Sequence, residues 1–159
     1  MSISTEPDFP PLLAPGFHAL TLAELRTLCV DRFPASRSRP LILEGLEQVL
    51  GTMTLFAIEG EVWVDGSFLT EKIDPNDSDI VVRLDSTFAD SCNAEQMGVL
   101  EWVLGNLKKS HLCDSYVFCE YPAGHSSFWH GEWARAYWIK QFGFSRGTSL
   151  KGIALIKTP

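Results

Sequence analysis

Residues 66–79 read GSFLTEKIDPNDSD, a Gly-Ser pair followed by a polar connector and then by two carboxylates in alternate positions. The segments on either side, residues 61–65 and 80–84, alternate or run apolar and are rich in β-branched residues. Segments of this kind form strands. The sequence therefore predicts two strands joined by this connector, with its polar residues at the turn between them.

The side chains of this stretch suit the binding of a phosphorylated ligand. In an extended strand Asp77 and Asp79 project from the same face, where two carboxylates can bind one or two divalent cations against phosphate groups. Gly66 lets the backbone approach a phosphate closely, and Ser67 offers a hydroxyl and an N–H to its oxygens. The pattern predicts a metal-dependent phosphoryl-transfer site. The alternative is an ordinary hairpin, because residues 74–77 also suit a type I turn with no chemistry.

A Gly-Ser pair at the end of one strand and an Asp-x-Asp opening the next resembles the signature of the nucleotidyltransferase superfamily of the DNA polymerase β type. Residues 62–70, 75–79 and 151–153 are also similar to a little-characterised bacterial family of small nucleotidyltransferase-like domains. That similarity extends from about Leu20 to Ile156. It implies a minimal nucleotidyltransferase fold, an α+β (α/β) domain in which helices flank a mixed β-sheet.

The resemblance further implies a third carboxylate on a later strand of the same sheet. Residues 114–120 are the later segment that combines strand character with acids, and Asp114 and Glu120 share strand parity, so both are predicted to project from one face. Asp114 is preferred because the third acid typically opens its strand in this superfamily, and Glu120 is the reserve. Either residue also suits a solvated strand end.

On this resemblance six residues have predicted roles. The catalytic carboxylates, which would also bind two Mg²⁺ ions, are Asp77, Asp79 and Asp114. The residues that would hold the triphosphate of ATP or of another nucleoside triphosphate are Gly66, Ser67 and Lys72. A nucleoside monophosphate would pass to a protein or other acceptor brought by a partner, as in bacterial toxin–antitoxin or defence systems.

Two departures from the superfamily pattern favour a second hypothesis. Asp65 before the glycine and Ser78 between the carboxylates stand where apolar residues are usual, and Ser78 is predicted to face the core side of its strand. The alternative function is a catalytically inactive binding module, such as an antitoxin-like partner protein. A small-molecule adenylyltransferase of the antibiotic-modifying type is disfavoured, because those enzymes usually carry an added helical domain.

The chain has 159 residues, of which 45% are hydrophobic. This length and composition indicate a single globular domain. Residues 1–16 are Pro-rich and predicted to be an irregular arm, and residues 17–159 are predicted to form the domain. No apolar run approaches the roughly 18 residues needed to span a bilayer, and the N-terminus lacks a secretory signal, so a cytoplasmic protein is expected. Four cysteines at unpatterned spacings are expected to be reduced: Cys29, Cys92, Cys113 and Cys119.

Charge is distributed unevenly along the chain. Residues 1–130 carry 8 Lys or Arg against 19 Asp or Glu, and residues 131–159 carry 5 against 1. An acidic body disfavours extended nucleic acid as a partner, because such binding neutralises phosphates with Lys and Arg. The cations of the C-terminal part either contact one bound nucleotide or simply balance the acidic body: Arg135, Lys140, Arg146, Lys151 and Lys157.

The C-terminal quarter is unusually aromatic. Six aromatic residues cannot share one face of a helix, so this helix is predicted to be buried on more than one side: Phe128, Trp129, Trp133, Tyr137, Trp138 and Phe142. Either a thick core under the sheet or another chain would cover them. Trp129, Trp133 and Tyr137 recur every four residues and form one stripe. The stripe favours a protein partner or homo-oligomer over the thick core.

Other helices follow from capping and periodicity. Thr21 and Glu24 form a capping box that begins a helix ending near residues 33–34. Ser36 or Ser38 is predicted to cap a second helix with apolar residues at one-face spacing. A third helix is predicted over residues 93–108, and a last strand over residues 153–156 follows the aromatic helix.

Overall fold

A computed structural model describes residues 7–145 and 149–158 of the chain. Within these residues the elements, in chain order, are β1 (Gly16–Ala19), α1 (Leu22–Arg26) continued by a π-helical turn (Thr27–Asp31), α2 (Arg39–Leu55), β2 (Glu61–Asp65), a 3₁₀ turn (Ser67–Leu69), β3 (Ser78–Asp85), α3 (Ser86–Ser91), α4 (Ala94–Leu104), α5 (Lys108–His111), β4 (Cys113–Glu120), α6 (Phe128–Gly143) and β5 (Gly152–Lys157).

The strands form one mixed sheet of five strands in the order β1-β5-β2-β3-β4. Strand β2 pairs antiparallel with both β3 and β5, whereas β1 with β5 and β3 with β4 are parallel pairs. The predicted α+β class, a mixed sheet flanked by helices, is therefore confirmed. The hairpin β2–β3 holds the connector on its turn, as the apolar alternation predicted, and it supplies two of the three central strands.

Two helix starts follow from their predicted caps. Thr21 Oγ1 accepts a hydrogen bond from the N–H of Glu24, whose carboxylate accepts from the N–H of Thr21, so the capping box is formed. At the start of α2, Ser36 Oγ accepts from the N–H of Arg39 at 3.1 Å, whereas the Ser38 side chain makes no cap hydrogen bond. Of the two serines predicted to cap this helix, Ser38 occupies the N-cap position, while Ser36 supplies the side-chain hydrogen bond to the first helical N–H.

The helix predicted over residues 93–108 ends earlier than expected. Helix α4 stops at Leu104, and Gly105 caps its C-terminus. Asn106 then adopts a positive φ of 65°, a conformation that a continuing helix does not allow. The chain therefore breaks before α5 and β4, which brings Asn106 next to the start of β4.

The two faces of the sheet are covered unequally. One face packs against α1, α2 and α4 around a large core that includes Leu43, Leu46 and Val103. Within the described part of the chain, the helix that packs on the other face is α6, with Trp63 and Phe142 in a smaller cluster. Asp65, Asp79 and Asp114 lie on this second, more open face.

The aromatic helix is buried on one side only, which corrects the prediction of burial on more than one side. Phe142 is buried against the sheet, but the side chains of Trp129, Trp133 and Tyr137 are 69%, 75% and 54% exposed. The physical reason is that α6 is the outermost layer on its face of the sheet. A thick core within the monomer is therefore excluded as the cover for this stripe.

Strand β1 was not predicted, because its four residues show no apolar alternation. It pairs with β5 at the sheet edge, and Gly16 opens it at the end of the predicted arm. The rest of the described arm is irregular but attached: the N–H of Leu12 donates to Leu69 O at 2.9 Å. Residues 1–6 lie outside the described part of the chain. No helix among the described residues has the length and apolarity to cross a membrane.

Candidate active site

Three aspartates lie side by side on three adjacent strands. Asp65 ends β2 and pairs in register with Asp79 of β3, which in turn pairs with Asp114 of β4. Residues paired in this way project from the same face of a sheet. All three carboxylates therefore belong to the face that α6 covers only in part. Asp77 precedes this row by two residues on the connector.

The row lies beside a cleft of about 510 Å³. All six residues with predicted roles line this cleft: Gly66, Ser67, Lys72, Asp77, Asp79 and Asp114. They come from two separate parts of the sequence, residues 66–79 and Asp114, and the sheet register brings them together. Lys108 and Lys151 line the same cleft.

Gly66 is required where it stands for two independent reasons. Its φ of 86° lies in the left-handed region, which favours glycine. A Cβ at this position would also lie 2.5 Å from Asp79 Oδ2. The Gly66–Ser67 backbone therefore passes directly against the central carboxylate of the row, a closer approach than any other residue would permit.

The carboxylates act on one another electrostatically. Burial, and then the nearby charges of Asp77 and Asp114, raise the pKa of Asp79 to about 6. The ammonium of Lys108 lies 3.2 Å from Asp77 Oδ2 and partly offsets this effect. The negative charges of Asp77 and Asp114 disfavour the ionised form of Asp79, and a bound cation would offset this repulsion.

Asp114 is oriented by Asn106 and lies near Tyr116. Asn106 Nδ2 donates to Asp114 Oδ1 at 2.6 Å, from the break between α4 and α5. Tyr116 follows two residues later on the same face, and burial, followed by the neighbouring Asp114 carboxylate, raises the pKa of Tyr116 to about 12. Both placements depend on the β4 register, so the sequence pattern did not predict them.

Glu120 lies at the opposite end of β4 and does not line the cleft. It pairs in register with Asp85, accepts from Arg83 Nε at 2.9 Å, and lies 3.4 Å from Arg135. The predicted parity with Asp114 is correct, yet the two acids lie at different ends of the sheet. The structure places Asp114, and not the reserve candidate, beside Asp77 and Asp79.

The other predicted positions have clear surroundings. Ser78 is fully buried on the core side of β3, as predicted, with its Oγ 3.5 Å from Cys113 Sγ. Lys72 lines the cleft, and its ammonium lies 6.0 Å from the centre of the Phe9 ring. Of the C-terminal cations, Lys151 reaches the cleft, and Arg146 lies outside the described residues.

A family described as a family of unknown function (DUF6932) matches residues 7–157. The chain belongs to this family. No curated protein and no solved structure matches the chain. The description of DUF6932 names no activity, so the resemblance to nucleotidyltransferases stays a prediction, and the chemistry must be argued from the cleft itself.

The cleft residues fit a magnesium ion in their donor chemistry. Carboxylate oxygens are the protein ligands that Mg²⁺ prefers, and the ion commonly binds one or two of them together with water and substrate phosphates. Among the described residues, no group of three or more Asp, Glu, His or Cys side chains is placed so that it could hold a metal ion. A metal ion shared by Asp77, Asp79 and Asp114 therefore stays a prediction that rests on the donor chemistry of these residues.

Proposed function

We propose that this protein is a Mg²⁺-dependent nucleotidyltransferase that moves a nucleoside monophosphate from ATP or another nucleoside triphosphate to a hydroxyl of a protein or other acceptor. The observation that carries the proposal is the arrangement around Asp79. Asp77 and Asp114 flank this carboxylate, and the Gly66–Ser67 backbone passes against it in the same cleft.

The chain's own residues divide the work between the triphosphate and the acceptor. Backbone N–H groups and the hydroxyl of Ser67, with the ammonium of Lys72, bind phosphate oxygens. Asp77, Asp79 and Asp114 would hold Mg²⁺, which supplies charge stabilisation for phosphoryl transfer when bound. Asp114, held by the hydrogen bond from Asn106, orients the acceptor hydroxyl and accepts its proton.

The proposed transfer is a single displacement at the α-phosphorus. The acceptor oxygen forms a bond to the α-phosphorus while the bond from that phosphorus to the bridging oxygen breaks, and pyrophosphate leaves. The hydroxyl proton goes to Asp114 and then to solvent. No reductant, oxidant or further co-substrate is needed.

A second candidate function is a binding module that keeps the fold without the chemistry. It is favoured by the exposed stripe of Trp129, Trp133 and Tyr137, since aromatic residues of this kind commonly anchor protein interfaces. The ammonium of Lys108 also contacts Asp77, so the protein itself supplies part of the positive charge that a metal ion would bring to the acidic cleft. On this reading the protein masks a partner, as an antitoxin-like subunit does, or associates with a second copy through α6.

The two candidates are separated by nucleotide binding and transfer measured together. Isothermal titration with each nucleoside triphosphate and Mg²⁺ is expected to show binding, and labelled triphosphate is expected to mark an acceptor in lysate from the source cells. The Asp114→Asn variant should keep ATP affinity within a few-fold while transfer falls by about a hundredfold or more, since a proton-accepting group acts in the transition state.

Glu120→Gln is the matched control, because it changes the rival acid on the same strand and should leave transfer unchanged. If the parent protein binds no nucleoside triphosphate in the presence of Mg²⁺, the proposed nucleotidyltransferase activity is refuted. Binding without transfer to any acceptor would leave the binding module as the function.

A further inference from the structure

A buried ion pair closes one end of the aspartate row. Lys151 Nζ lies 2.9 Å from Asp65 Oδ2, and the two side chains are 12% and 1% exposed. Lys151 lines the same cleft as the predicted site residues. Asp65 itself stands next to Gly66 in the sequence and opposite Asp79 in the sheet.

The backbone that carries Lys151 is held firmly. Its N–H donates to Gly143 O at 2.9 Å, and the next N–H, that of Gly152, donates to Leu13 O at 3.1 Å. A Cβ at Gly152 would lie 2.6 Å from Leu13 Cβ, so the chain is tightly packed at this point. The ammonium therefore projects into the cleft from a fixed origin.

The three lysines of the cleft differ in how firmly they are placed. The side chain of Lys108 is 56% exposed and contacts Asp77, whereas Lys72 faces the Phe9 ring. The side chain of Lys151 is 12% exposed and pairs with the buried carboxylate of Asp65. An ammonium carries three N–H donors and the Asp65 oxygen accepts one, so Lys151 can bind a second anion without leaving the first.

The burial of the Asp65 carboxylate is energetically unfavourable. Its Oδ1 is buried without a hydrogen-bond partner among the described residues. An apolar pair of similar size is commonly as stable as a buried ion pair, or more stable, so stability alone does not account for the pair.

We infer that Lys151 is the fixed phosphate-binding cation of the cleft and that Asp65 is the positioning residue that aims its ammonium at the phosphate chain of the nucleotide. The inference rests on the proposed function and names a further pair of residues for it. Lys151 supplies positive charge at the β2 end of the row, where the Gly66–Ser67 backbone donors also lie.

The test separates binding from stability with a double variant. Lys151→Met alone should destabilise the protein, because it leaves the buried Asp65 carboxylate unpaired, while Asp65→Leu together with Lys151→Met should recover the stability of the parent. Both should bind ATP and inorganic tripolyphosphate, each with Mg²⁺, at least about tenfold more weakly in isothermal titration. Lys109→Met, which removes an exposed lysine outside the cleft, should bind both like the parent.

Asp65→Asn gives the conservative comparison. It keeps an acceptor for Lys151 and should lose less affinity than Asp65→Leu. A stable double variant that binds both ligands like the parent would overturn the inference and leave the proposed function standing. If the parent binds no ATP, the proposed function fails, and tripolyphosphate binding that is equal in the parent and the double variant then overturns the inference as well.

Discussion

Asp79 is a carboxylate whose surroundings disfavour its ionised form. It lies between two other carboxylates, and the only residue that fits against it is a glycine, Gly66. The usual pKa of 3.8 is raised to about 6 by burial and by these like charges. A carboxylate in this setting destabilises the fold when it ionises, and a bound cation would repay that cost.

The sign of the effect predicts the behaviour of Asp79→Asn in metal-free buffer. Since the folded pKa lies above the unfolded one, the stability associated with protonated Asp79 is complete below about pH 4 and is lost as the pH rises through about 6. The variant should match the parent at low pH and be more stable by about 1 to 3 kcal/mol above pH 7. Urea denaturation across this pH range measures the difference.

Addition of ATP and Mg²⁺ provides the second half of the same measurement. The parent should gain thermal stability and Asp79→Asn should not, because a ligand stabilises only the state that binds it. Asp85→Asn is the control, since that carboxylate is 65% exposed at the other end of β3 and its loss should change neither result. Equal thermal shifts in the parent and Asp79→Asn would show that Asp79 binds no metal.

At the scale of elements, helix α2 and the connector of the hairpin hold each other in place. Arg39 is the first residue of α2 and is fully buried. Its guanidinium donates to backbone oxygens of four residues: Cys29, Phe68, Thr70 and Lys72.

The connector makes a second contact with the start of this helix. Asp74 accepts hydrogen bonds from the N–H groups of Arg37 and Ser38, and these bonds lower the pKa of Asp74. The cleft residues Ser67 and Lys72 are thus positioned by a helix distant in sequence.

Arg39→Lys tests this coupling while keeping the positive charge. A lysine cannot reproduce the planar fork, so several buried carbonyl groups lose their donor, and we expect a loss of about 2 to 4 kcal/mol in the free energy of unfolding. Hydrogen exchange of residues 68–72 should also become faster. Arg37→Lys, at an exposed neighbouring position, should change stability by less than about 0.5 kcal/mol. Unchanged exchange in Arg39→Lys would contradict the coupling.

At the scale of the whole molecule, the sheet is asymmetric. Several helices bury one face, and α6 covers part of the other, with its own aromatic stripe directed outward. The acidic cleft and this stripe lie on the same side of the molecule, because Gln141 and Phe144 near the end of α6 line the cleft. A partner docked on the stripe would therefore lie close to the site.

Trp133→Ala should separate folding from association. Since the Trp133 side chain is 75% exposed, its loss should change monomer stability by less than about 1 kcal/mol, yet weaken association by about 2 kcal/mol or more. Chemical denaturation and sedimentation over a dilution series measure the two quantities. Trp63→Ala is the contrasting variant, and loss of this fully buried side chain should cost about 3 to 5 kcal/mol.

A parent that stays monomeric at every concentration, with no partner whose binding depends on Trp133, would leave the stripe without a role in assembly. A large loss of monomer stability in Trp133→Ala would instead show that the stripe supports the fold. Either result would remove the stripe as support for the binding module.

Much of the fold followed from local patterns. Apolar alternation predicted β2 and β3, Thr21 and Glu24 predicted the start of α1, and the parity of Asp77 and Asp79 predicted carboxylates directed to one side. Such features depend on the short-range geometry of the backbone, which the residues themselves encode. The edge strand β1 was missed because its pairing with β5 is long-range and its own pattern is weak.

By itself the sequence determined that two carboxylates and a Gly-Ser pair meet at one hairpin, because neighbours in a strand and its turn cannot lie far apart. Only the tertiary structure decided which later residues join them. Asp114 rather than Glu120 lies beside Asp79 because the parallel register of β4 sets its position, and parity alone allows both. Likewise Lys151 meets Asp65 only because β5 enters the sheet next to β2, a pairing that no local pattern encodes.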